Sequence, residues 1–472
     1  MTITTRPSRT GPSLLGGSIQ SQANPCLHGS PVSVEGWKGE LGTVGKVALV
    51  GAGKMGLPLA AQFASHGWQV TAVDVNEAVV AAINEGQSHV AEEPGLVEAV
   101  AEAHASGRLR ATTDGTGAAR AVDVVVIIVP VMLDDRQQPD YRFMDAAVAA
   151  IGPGLHPGSL VIFETTLPVG DTRGRYVPAL EAASRLTVEE DLFVAFSPER
   201  LLSGHVFQNL ATYPKLVGGI GPASTARAAA FYASVLDAEV VAMSNAEAAE
   251  FAKLAETTYR DVNIALANEF ANYADRAGVD ILEVIEAANS QPYSHIHQPG
   301  IGVGGHCIPV YPHFLLSRAP ELTLVDASRR ANDGQVDRAI STVEAALGGL
   351  VGVEVLVLGL TYRDGVKELA YSRALPLISG LKARGARVLA FDPLLSEAEI
   401  AQAGAVPWSW GSEARGVRAI VTQTADPAWA SLDPAWFPEL TVVLDGRNSL
   451  RDLDLPASVA YAGIGVPART VG

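Results

Sequence analysis

The chain has 472 residues, enough for two or three domains, because a single hydrophobic core rarely grows beyond about 300 residues. Its 34 basic and 51 acidic residues give a formal net charge of -17, and the sequence contains no basic run or stripe of the kind that binds nucleic acid. Apolar residues make up 48% of the chain but are interrupted before any run reaches the ~20 residues of a membrane span, so membrane insertion is not expected.

Residues 1–44 are rich in Ser, Gly, Pro and Thr and have no apolar periodicity. They are interpreted as a disordered leader or as an over-long, mis-annotated start. The two cysteines are Cys26, in this leader, and Cys307. They form no disulfide framework, which favours a reducing, cytoplasmic setting.

A nucleotide-binding βαβ unit is predicted to start near Lys46. KVALV is typical of a strand buried on both faces of a parallel sheet, and GAGKMG leads from it into an alanine-rich helix and a second strand. Gly51, Gly53 and Gly56 form GxGxxG, and Asp74 ends the second strand. The glycines allow a pyrophosphate to approach the helix N-terminus, and the carboxylate binds ribose hydroxyls and repels a 2′-phosphate. NAD is therefore predicted in preference to NADP, with an ordinary strand-to-helix turn as the alternative.

Three further strands are predicted over 122–130, 159–166 and 192–200, which extends the unit into a doubly wound α/β sheet. Polar residues, among them Thr166 and Glu199, cluster where these strands end. Such sheets bind ligands at the carboxyl ends of their strands, although helix capping explains either cluster equally well.

A helix of about 32 residues is predicted over 245–277, with Ser244 and Glu247 spaced as a capping box and Gly278 placed as a stop. At ~1.5 Å per residue it would be about 48 Å long, which exceeds the core of one domain. We expect it to link two domains and to pack against a second subunit.

Lys253, Thr257 and Arg260 recur at helical spacing along this helix. A solvated polar face is one interpretation. On a buried helix, however, a lysine needs a partner or a task, and the sequence leaves both interpretations open.

Cys307 follows three glycines in GIGVGGHCIPVYP. Next to a nicotinamide, a thiol can trap an aldehyde as a thiohemiacetal, and loss of hydride then gives a thioester that water can open. The glycines leave backbone N–H groups free to face a developing oxyanion. A buried structural cysteine is the alternative for a lone thiol.

The last third repeats the βαβ plan and ends a strand in Asp392, but its first loop, GLTYRD, lacks the three glycines. This second site is therefore not expected to hold NAD in the same manner. The loops carry Arg363, Lys367, Arg373 and Arg447, which suit a pyrophosphate, although surface ion pairs would explain any one of them. The predicted fold is α/β, with two Rossmann-like doubly wound domains joined by a long central helix. The predicted ranges are 45–243 for the NAD-binding domain, 244–335 for the central helical and cysteine region, and 336–472 for the C-terminal nucleotide-sugar-binding domain.

In chain order, GAGKMG, TTLPVG, SPERLLSG, YPKLVGG, AKLAETTYRDVNIALANE, GVGGHCIP, GLTYRDGVKE, FDP and DGRN resemble the motifs of the UDP-glucose/GDP-mannose dehydrogenase family. VGGHCIP is similar to the branch that oxidises UDP-N-acetylhexosamines. The resemblance implies oxidation of the C6 hydroxyl of a UDP-sugar to a carboxylate in two hydride steps that consume two NAD. It also implies no metal.

The resemblance further implies roles for individual residues. Cys307 is the nucleophile, Lys253 stabilises charge on the C6 oxygen, Glu199 serves hydrolysis and Thr166 holds a catalytic water, with Thr257 completing the catalytic set. The implied cofactor contacts are Gly51, Gly53, Lys54, Met55, Gly56, Asp74, Pro130, Thr166 and Arg373. The implied substrate contacts are Arg200, Lys253, Arg260, Asn263, Gly304, Gly305, His306, Tyr362, Arg363 and Arg447.

The chain departs from the family pattern at four positions. Thr257 stands in place of Asn, Tyr311 in place of Asp four residues after the cysteine, Ala370 in place of Arg, and Tyr293 in place of a basic residue. These changes bear on water activation, on the hold on the cofactor phosphate and on sugar choice.

Two other function classes remain open at this point. A two-electron dehydrogenase of the 6-phosphogluconate or hydroxy-acid type shares the opening fold and a helix-borne lysine but needs no cysteine. A non-catalytic nucleotide-sugar binding protein would tolerate Thr257 and Tyr311. Whether activity depends on Cys307 separates the first of these from a four-electron enzyme.

Overall fold

The computed structural model describes residues 45–90 and 92–469, so the predicted leader over 1–44 lies outside the described residues. Within that range, eight strands form an N-terminal sheet with the order β10-β9-β8-β7-β4-β1-β2-β3, in which only the β8/β9 pair is antiparallel. A small hairpin of β5 and β6 stands apart from it. The strands are β1 (Lys46–Val50), β2 (Gln69–Val73), β3 (Leu109–Thr112), β4 (Val124–Ile127), β5 (Met132–Leu133), β6 (Pro139–Asp140), β7 (Leu160–Phe163), β8 (Phe193–Phe196), β9 (Lys215–Gly219) and β10 (Val240–Ala242).

Helices cover both faces of this sheet, which is why its central strands are wholly apolar. Along β1, Val47 and Leu49 enter one apolar cluster, whereas Ala48 and Val50 enter the other. The helices are α1 (Gly56–Ser65), α2 (Glu77–Asn84), α3 (Leu96–Ala105), α4 (Gly115–Arg120), α5 (Arg142–Ile151), α6 (Val177–Ser184), α7 (Val206–Thr212) and α8 (Pro222–Val235).

A second sheet of seven strands, counted over the described residues, has the order β13-β12-β11-β14-β15-β16-β17 and is parallel except for β16/β17. It too is buried on both faces: Val355 and Val357 pack on one side, Leu356 and Leu358 on the other. Before it come α9 (Ala246–Ala277), α10 (Ile281–Asn289), α11 (Tyr311–Arg318), α12 (Thr323–Asp333) and α13 (Gln335–Leu347). The strands of this sheet and the two helices between them are, in chain order, β11 (Glu354–Leu358), α14 (Ala374–Ala383), β12 (Arg387–Phe391), α15 (Glu397–Gln402), β13 (Val406–Pro407), β14 (Val417–Thr422), β15 (Val442–Asp445), β16 (Ala460–Gly463) and β17 (Val466–Arg469).

The architecture confirms the predicted α/β class, with two doubly wound sheets and a long helix, α9, between them in sequence. α9 has 32 residues and ends where Gly278 adopts a left-handed conformation, as predicted. The predicted capping box is wrong. Asn245 is the N-cap and accepts a hydrogen bond from the Ala248 N–H, which moves Glu247 too close to the helix start to close a box.

Three predicted strands are too long at their carboxyl ends. The paired segments stop at Ile127, Phe163 and Phe196, which are successive neighbours in register. The residues after them leave the sheet together and form one edge, which adjoins the end of β1 at Val50. Because the strand order reverses between β1 and β4, this edge carries the crevice in which doubly wound sheets bind ligands.

Candidate functional site

The glycine loop after β1 is tight at both ends and open in the middle. Gly51 has a φ of +100°, and a Cβ on Gly56 would lie 1.8 Å from the Gly51 carbonyl oxygen, so neither position accepts a side chain. A Cβ on Gly53 would meet nothing within 4 Å. Backbone therefore faces open space at the start of α1, which fits a pyrophosphate.

Met55 is the N-cap residue of α1 and packs against the core beneath the loop. Pro130 is exposed three residues past the end of β4, on the same edge of the sheet.

The carboxylates at the ends of β2 and β12 differ in accessibility. Asp74 is partly exposed and accepts hydrogen bonds from the N–H groups of Ala52, at 3.0 Å, and Asn76, at 2.9 Å. Asp392 is only 2% exposed, and its Oδ2 accepts the Leu360 N–H at 2.7 Å. The Asp74 carboxylate can still accept hydrogen bonds from ribose hydroxyls, whereas the buried Asp392 carboxylate accepts hydrogen bonds from its own loop.

Cys307 is exposed at the end of the glycine-rich segment. Its carbonyl oxygen accepts the Tyr311 N–H at 2.9 Å, which starts α11. Gly305 has a φ of +93°, and a Cβ on it would lie 3.0 Å from the Tyr362 ring. A Cβ on Gly304 would lie 3.1 Å from Cβ of the same tyrosine. The glycines thus let a loop of the C-terminal sheet close against the segment that carries the thiol.

Tyr311 lies on the same turn as Cys307. Burial raises the pKa of Tyr311 well above its ordinary value, and the neighbouring Cys307 raises it further. The Lys253 ammonium lies 6.0 Å from the centroid of the Tyr311 ring. The central helix and α11 therefore meet beside Cys307.

Glu199 adjoins this group. Its N–H donates to the Glu164 carbonyl oxygen at 3.0 Å and its Oε1 accepts the Leu201 N–H, while Oε2 is buried and has no hydrogen-bond partner among the described residues. Burial raises the pKa of Glu199 to about 7, against opposing effects of Lys215 and Lys253. A carboxyl group with this pKa can exchange protons near neutral pH.

A buried charge cluster behind Glu199 was not predicted from the sequence. Lys215 Nζ lies 3.0 Å from Glu164 Oε2, and the Tyr232 hydroxyl donates to Glu164 Oε1 at 2.5 Å. Lys215 also lies 4.6 Å from the centroid of the Tyr232 ring. The available signal was a lysine at the start of an otherwise apolar strand, KLVGG, because such a lysine needs a buried partner.

Lys253 is 7% exposed on α9, and within the described ranges no carboxylate lies within 4.0 Å of its ammonium. Thr257, one turn later, is also buried, and its hydroxyl donates to the Lys253 carbonyl oxygen at 2.9 Å. The Thr257 proton is therefore used within the helix, which leaves its lone pairs for other groups. A buried lysine without an ion pair is suited to a binding or catalytic role at this site.

Further along α9, Asn263 holds the loop that leads to Cys307. It donates to the His295 carbonyl oxygen and accepts from the His297 N–H, both at 2.9 Å. Arg260 is exposed beside this loop. Burial is the main cause that lowers the pKa of His297, and the positive charge of Arg260 lowers it further.

The predicted arginines lie in different places. Arg200 donates to Glu256 of α9 at 2.8 Å. Arg363, in the loop after β11 of the C-terminal sheet, donates to the carbonyl oxygen of Ser203 in the N-terminal part of the chain at 3.2 Å. Arg447 Nη1 lies 3.1 Å from the Cβ position of Gly300. Arg363 and Arg447 thus border the segment between the two sheets.

Arg373 was predicted to contact the cofactor. Its guanidinium pairs with Asp333 at 3.2 Å and lies against Gly302. Its contacts are therefore with α12 and with the glycine-rich segment before Cys307.

Lys54 links the two sheets. Its ammonium lies 3.0 Å from the Glu368 carboxylate, which also lies 3.6 Å from His306 Nε2. The proximity of His306 is the main cause that holds the pKa of Glu368 well below its usual range. Sequence reasoning missed this contact because its members are more than 300 residues apart in sequence.

The described residues contain neither a metal-binding cluster nor a membrane-spanning helix. Among residues 45–90 and 92–469, no group of three or more His, Cys, Asp or Glu is arranged to hold a metal ion. No helix in this part of the chain is long and apolar enough to cross a membrane.

Comparison with known proteins gives a consistent result. Three models of the UDP-glucose/GDP-mannose dehydrogenase family match the chain: the NAD binding domain over 45–236, the central domain over 247–334 and the UDP binding domain over 356–452. The UDP-N-acetyl-D-mannosamine dehydrogenase of Pyrococcus horikoshii is 33% identical over 89% of this chain and 99% of its own length.

Two solved structures share the fold. The UDP-D-ManNAc dehydrogenase of P. horikoshii superposes with a TM-score of 0.82 at 32% identity, covering 89% of this chain and 99% of that one. A UDP-glucose dehydrogenase from Pyrobaculum islandicum gives 0.79 at 28% identity, covering 90% and 98%.

Proposed function

The chain belongs to the UDP-glucose/GDP-mannose dehydrogenase family and is an NAD-dependent nucleotide-sugar dehydrogenase, and from this premise we propose that it oxidises the C6 hydroxyl of a UDP-N-acetylhexosamine to a carboxylate. The observation that supports the proposal is the exposed thiol of Cys307 on the same turn as Tyr311, whose ring lies 6.0 Å from the Lys253 ammonium. The buried carboxyl group of Glu199, whose pKa burial raises to about 7, is influenced by the same lysine. Such a set suits a covalent four-electron oxidation better than a single hydride transfer.

NAD, when bound, supplies the acceptor for one hydride in each of two oxidations. Gly51, Gly53 and Gly56 would face its pyrophosphate with backbone and leave the first N–H groups of α1 free to bind it. Asp74 would accept from the adenosine ribose hydroxyls.

The covalent steps belong to Cys307. After the alcohol has lost a hydride and a proton, the Cys307 thiolate forms a bond to the aldehyde carbon, and Lys253 stabilises the charge on the C6 oxygen. Loss of a second hydride leaves a thioester. Glu199 accepts one proton from water as the water oxygen bonds to the acyl carbon, and the carbon–sulfur bond breaks to release the thiolate and the carboxylic acid, which loses its remaining proton to solvent.

The sugar class is inferred from relatives. Proteins named UDP-N-acetyl-D-mannosamine dehydrogenase cover most of this chain at 33–37% identity. Arg363 and Arg447 border the segment between the sheets and are suited to the substrate phosphates. Because a reactive thiol must stay reduced, we place the enzyme in the cytoplasm, and we keep the division into 45–243, 244–335 and 336–472 as its domains.

A homodimer through α9 is part of the proposal. Large apolar and aromatic side chains are exposed along this helix, at 39–64%. They are Phe251, Tyr259, Leu266, Phe270 and Tyr273. An exposed apolar stripe of this kind on a 32-residue helix is typical of an oligomer interface.

The test is NADH formation with a panel of sugar nucleotides. UDP-N-acetylmannosamine or UDP-N-acetylglucosamine should outperform UDP-glucose and GDP-mannose, with two NADH formed per sugar. The highest kcat/KM with UDP-glucose would refute the substrate class. One NADH per sugar, or turnover that survives Cys307→Ala, would refute the covalent route and favour a two-electron dehydrogenase. No turnover with any sugar nucleotide would favour a binding protein.

A further inference from the structure

Glu250 is a buried acid on α9 that the proposed reaction does not use. It lies one turn before Lys253 on this helix, and its side chain is fully buried. In the described part of the chain no lysine, arginine or histidine nitrogen lies within 4.0 Å of its carboxylate. A buried carboxylate without a cation must be stabilised by hydrogen-bond donors.

Three hydrogen bonds reach this carboxylate from one turn of the loop after β7. The Gly170 N–H donates to Oε2 at 2.6 Å, and the Thr172 N–H and hydroxyl donate to Oε1 at 3.0 and 2.6 Å. Gly170 has a φ of +90°, a conformation that favours glycine, and it lets N–H groups two residues apart face one side chain. Both oxygens of Glu250 therefore bind the turn 170–172.

The residue in the middle of this turn binds a different helix. Asp171 accepts a hydrogen bond from the Tyr141 hydroxyl at 2.5 Å and another from Arg318 of α11. α11 begins at Tyr311, on the same turn as Cys307. The turn 170–172 is thus bound both to the helix that carries Lys253 and to the helix that follows the thiol.

The same loop carries Thr166, which is only 3% exposed. Just before it, the Thr165 hydroxyl donates to the Val129 carbonyl oxygen at 2.6 Å, which ties the start of the loop to the segment after β4. The end of the loop is tied to α9 by Glu250. The position of Thr166 relative to α9 therefore depends on the Glu250 contacts.

We propose that Glu250 is a positioning residue: its carboxylate holds the turn 170–172 on α9 and so fixes the loop that carries Thr166 relative to the helix turn that carries Lys253. The part of this role that concerns turnover rests on the proposed function, in which Thr166 and Lys253 serve the reaction. The hydrogen bonds themselves form without any substrate.

The first experiment measures hydrogen exchange of peptides from 165–176 by mass spectrometry on the full chain without ligands. Glu250→Gln keeps the shape of the side chain but replaces one accepting oxygen by an NH₂ group, so the loop amides should exchange at least about tenfold faster. Glu247→Gln is the matched control. It lies one turn earlier on α9 and breaks a partly exposed ion pair with Arg173, so it should change exchange less than about twofold.

The second experiment measures steady-state kinetics with the sugar nucleotide that gives the highest turnover. Glu250→Gln should lower kcat about tenfold and leave the KM for NAD within about twofold, because the glycine loop and Asp74 do not contact the turn 170–172. Thr172→Val removes one donor to the carboxylate and should lower kcat in the same direction. The double variant should lose less than the product of the two single effects, because both changes affect the same contact.

Unchanged exchange in Glu250→Gln, or an equal change in Glu247→Gln, would overturn the proposal. Faster exchange with an unchanged kcat would also overturn it, because the contact would then be structural only. If Glu250→Gln does not fold, Thr172→Val, which keeps the carboxylate and both N–H donors, decides both experiments. If the unaltered enzyme oxidises no sugar nucleotide, the proposed function is refuted, and the exchange experiment alone upholds or overturns the role of Glu250.

Discussion

Lys215 lies 3.0 Å from Glu164 in a buried ion pair, and both charges act on the carboxyl group of Glu199. Lys215→Met leaves Glu164 buried without its partner, which should cost about 3–5 kcal/mol. The double variant Lys215→Met/Glu164→Gln should recover most of that loss, because the Gln oxygen still accepts from Tyr232 and no charge remains. Thermal unfolding of the three proteins tests this. Equal melting temperatures for the wild type and Lys215→Met would contradict it.

Burial of Glu199 should set the pH dependence of turnover, and the same pair should modify it. Only ionised Glu199 accepts a proton from water, so the rate of thioester opening should rise with pH through about 7. Lys215 lowers the pKa of Glu199 more than Glu164 raises it, so the double variant should move this limb to higher pH. The kcat profile measures the shift. Lys382→Met, which removes an exposed lysine, is the control and should leave the limb in place.

Asp74 should decide cofactor choice. Its partly exposed carboxylate repels a 2′-phosphate, so kcat/KM should be far higher with NAD than with NADP. Asp74→Ala should narrow that ratio by weakening NAD binding and admitting NADP. Initial rates at matched cofactor concentrations measure it, and equal rates of the unaltered enzyme with both cofactors would contradict the assignment.

The long helix should control assembly. Phe270→Glu places a charge in the exposed stripe of α9 and should convert a dimer into a monomer, because a buried unpaired charge opposes association. Light scattering after size exclusion gives the mass. Phe143→Glu changes a phenylalanine on α5 that is more exposed, at 56% against 39% for Phe270, and should leave the mass unchanged. A monomeric unaltered protein at micromolar concentration would contradict the dimer.

Local sequence patterns predicted the parts of the fold that are buried on both faces. KVALV and VEVLVL could be identified as strands because every residue in β1 and β11 beyond the first lies in a core. Strands β3 and β13 were not predicted because both lie at sheet edges: β3, LRAT, is of mixed polarity, and β13 is only two residues long. The N-cap of α9 was misassigned by one residue because Ser244 and Asn245 are both good caps.

Some parts of the candidate site could likewise be predicted from local sequence, and others could not. The glycine loop, Asp74 and Cys307 are recognisable from short segments whose chemistry is local. The contacts Lys215–Glu164 and Lys54–Glu368 join distant parts of the chain, and no local spacing predicts them. Tyr311 was identified only as a departure from a family pattern, because its neighbours Lys253 and Phe314 are brought to it by the packing of α9 and α11.

Glu199 should separate oxidation from hydrolysis. If Cys307 carries an acyl group after the second hydride loss, Glu199→Gln should form NADH in a burst and then stall, because the amide accepts no proton from water. Rapid-mixing absorbance measures the burst, and the mass of the intact protein should show a sugar-nucleotide adduct. The adduct should be absent when Cys307→Ala is added, which is the matched control. A stalled Glu199→Gln enzyme with neither burst nor adduct would assign Glu199 to binding or to the earlier oxidation, and would leave water activation to Thr166 and Lys253.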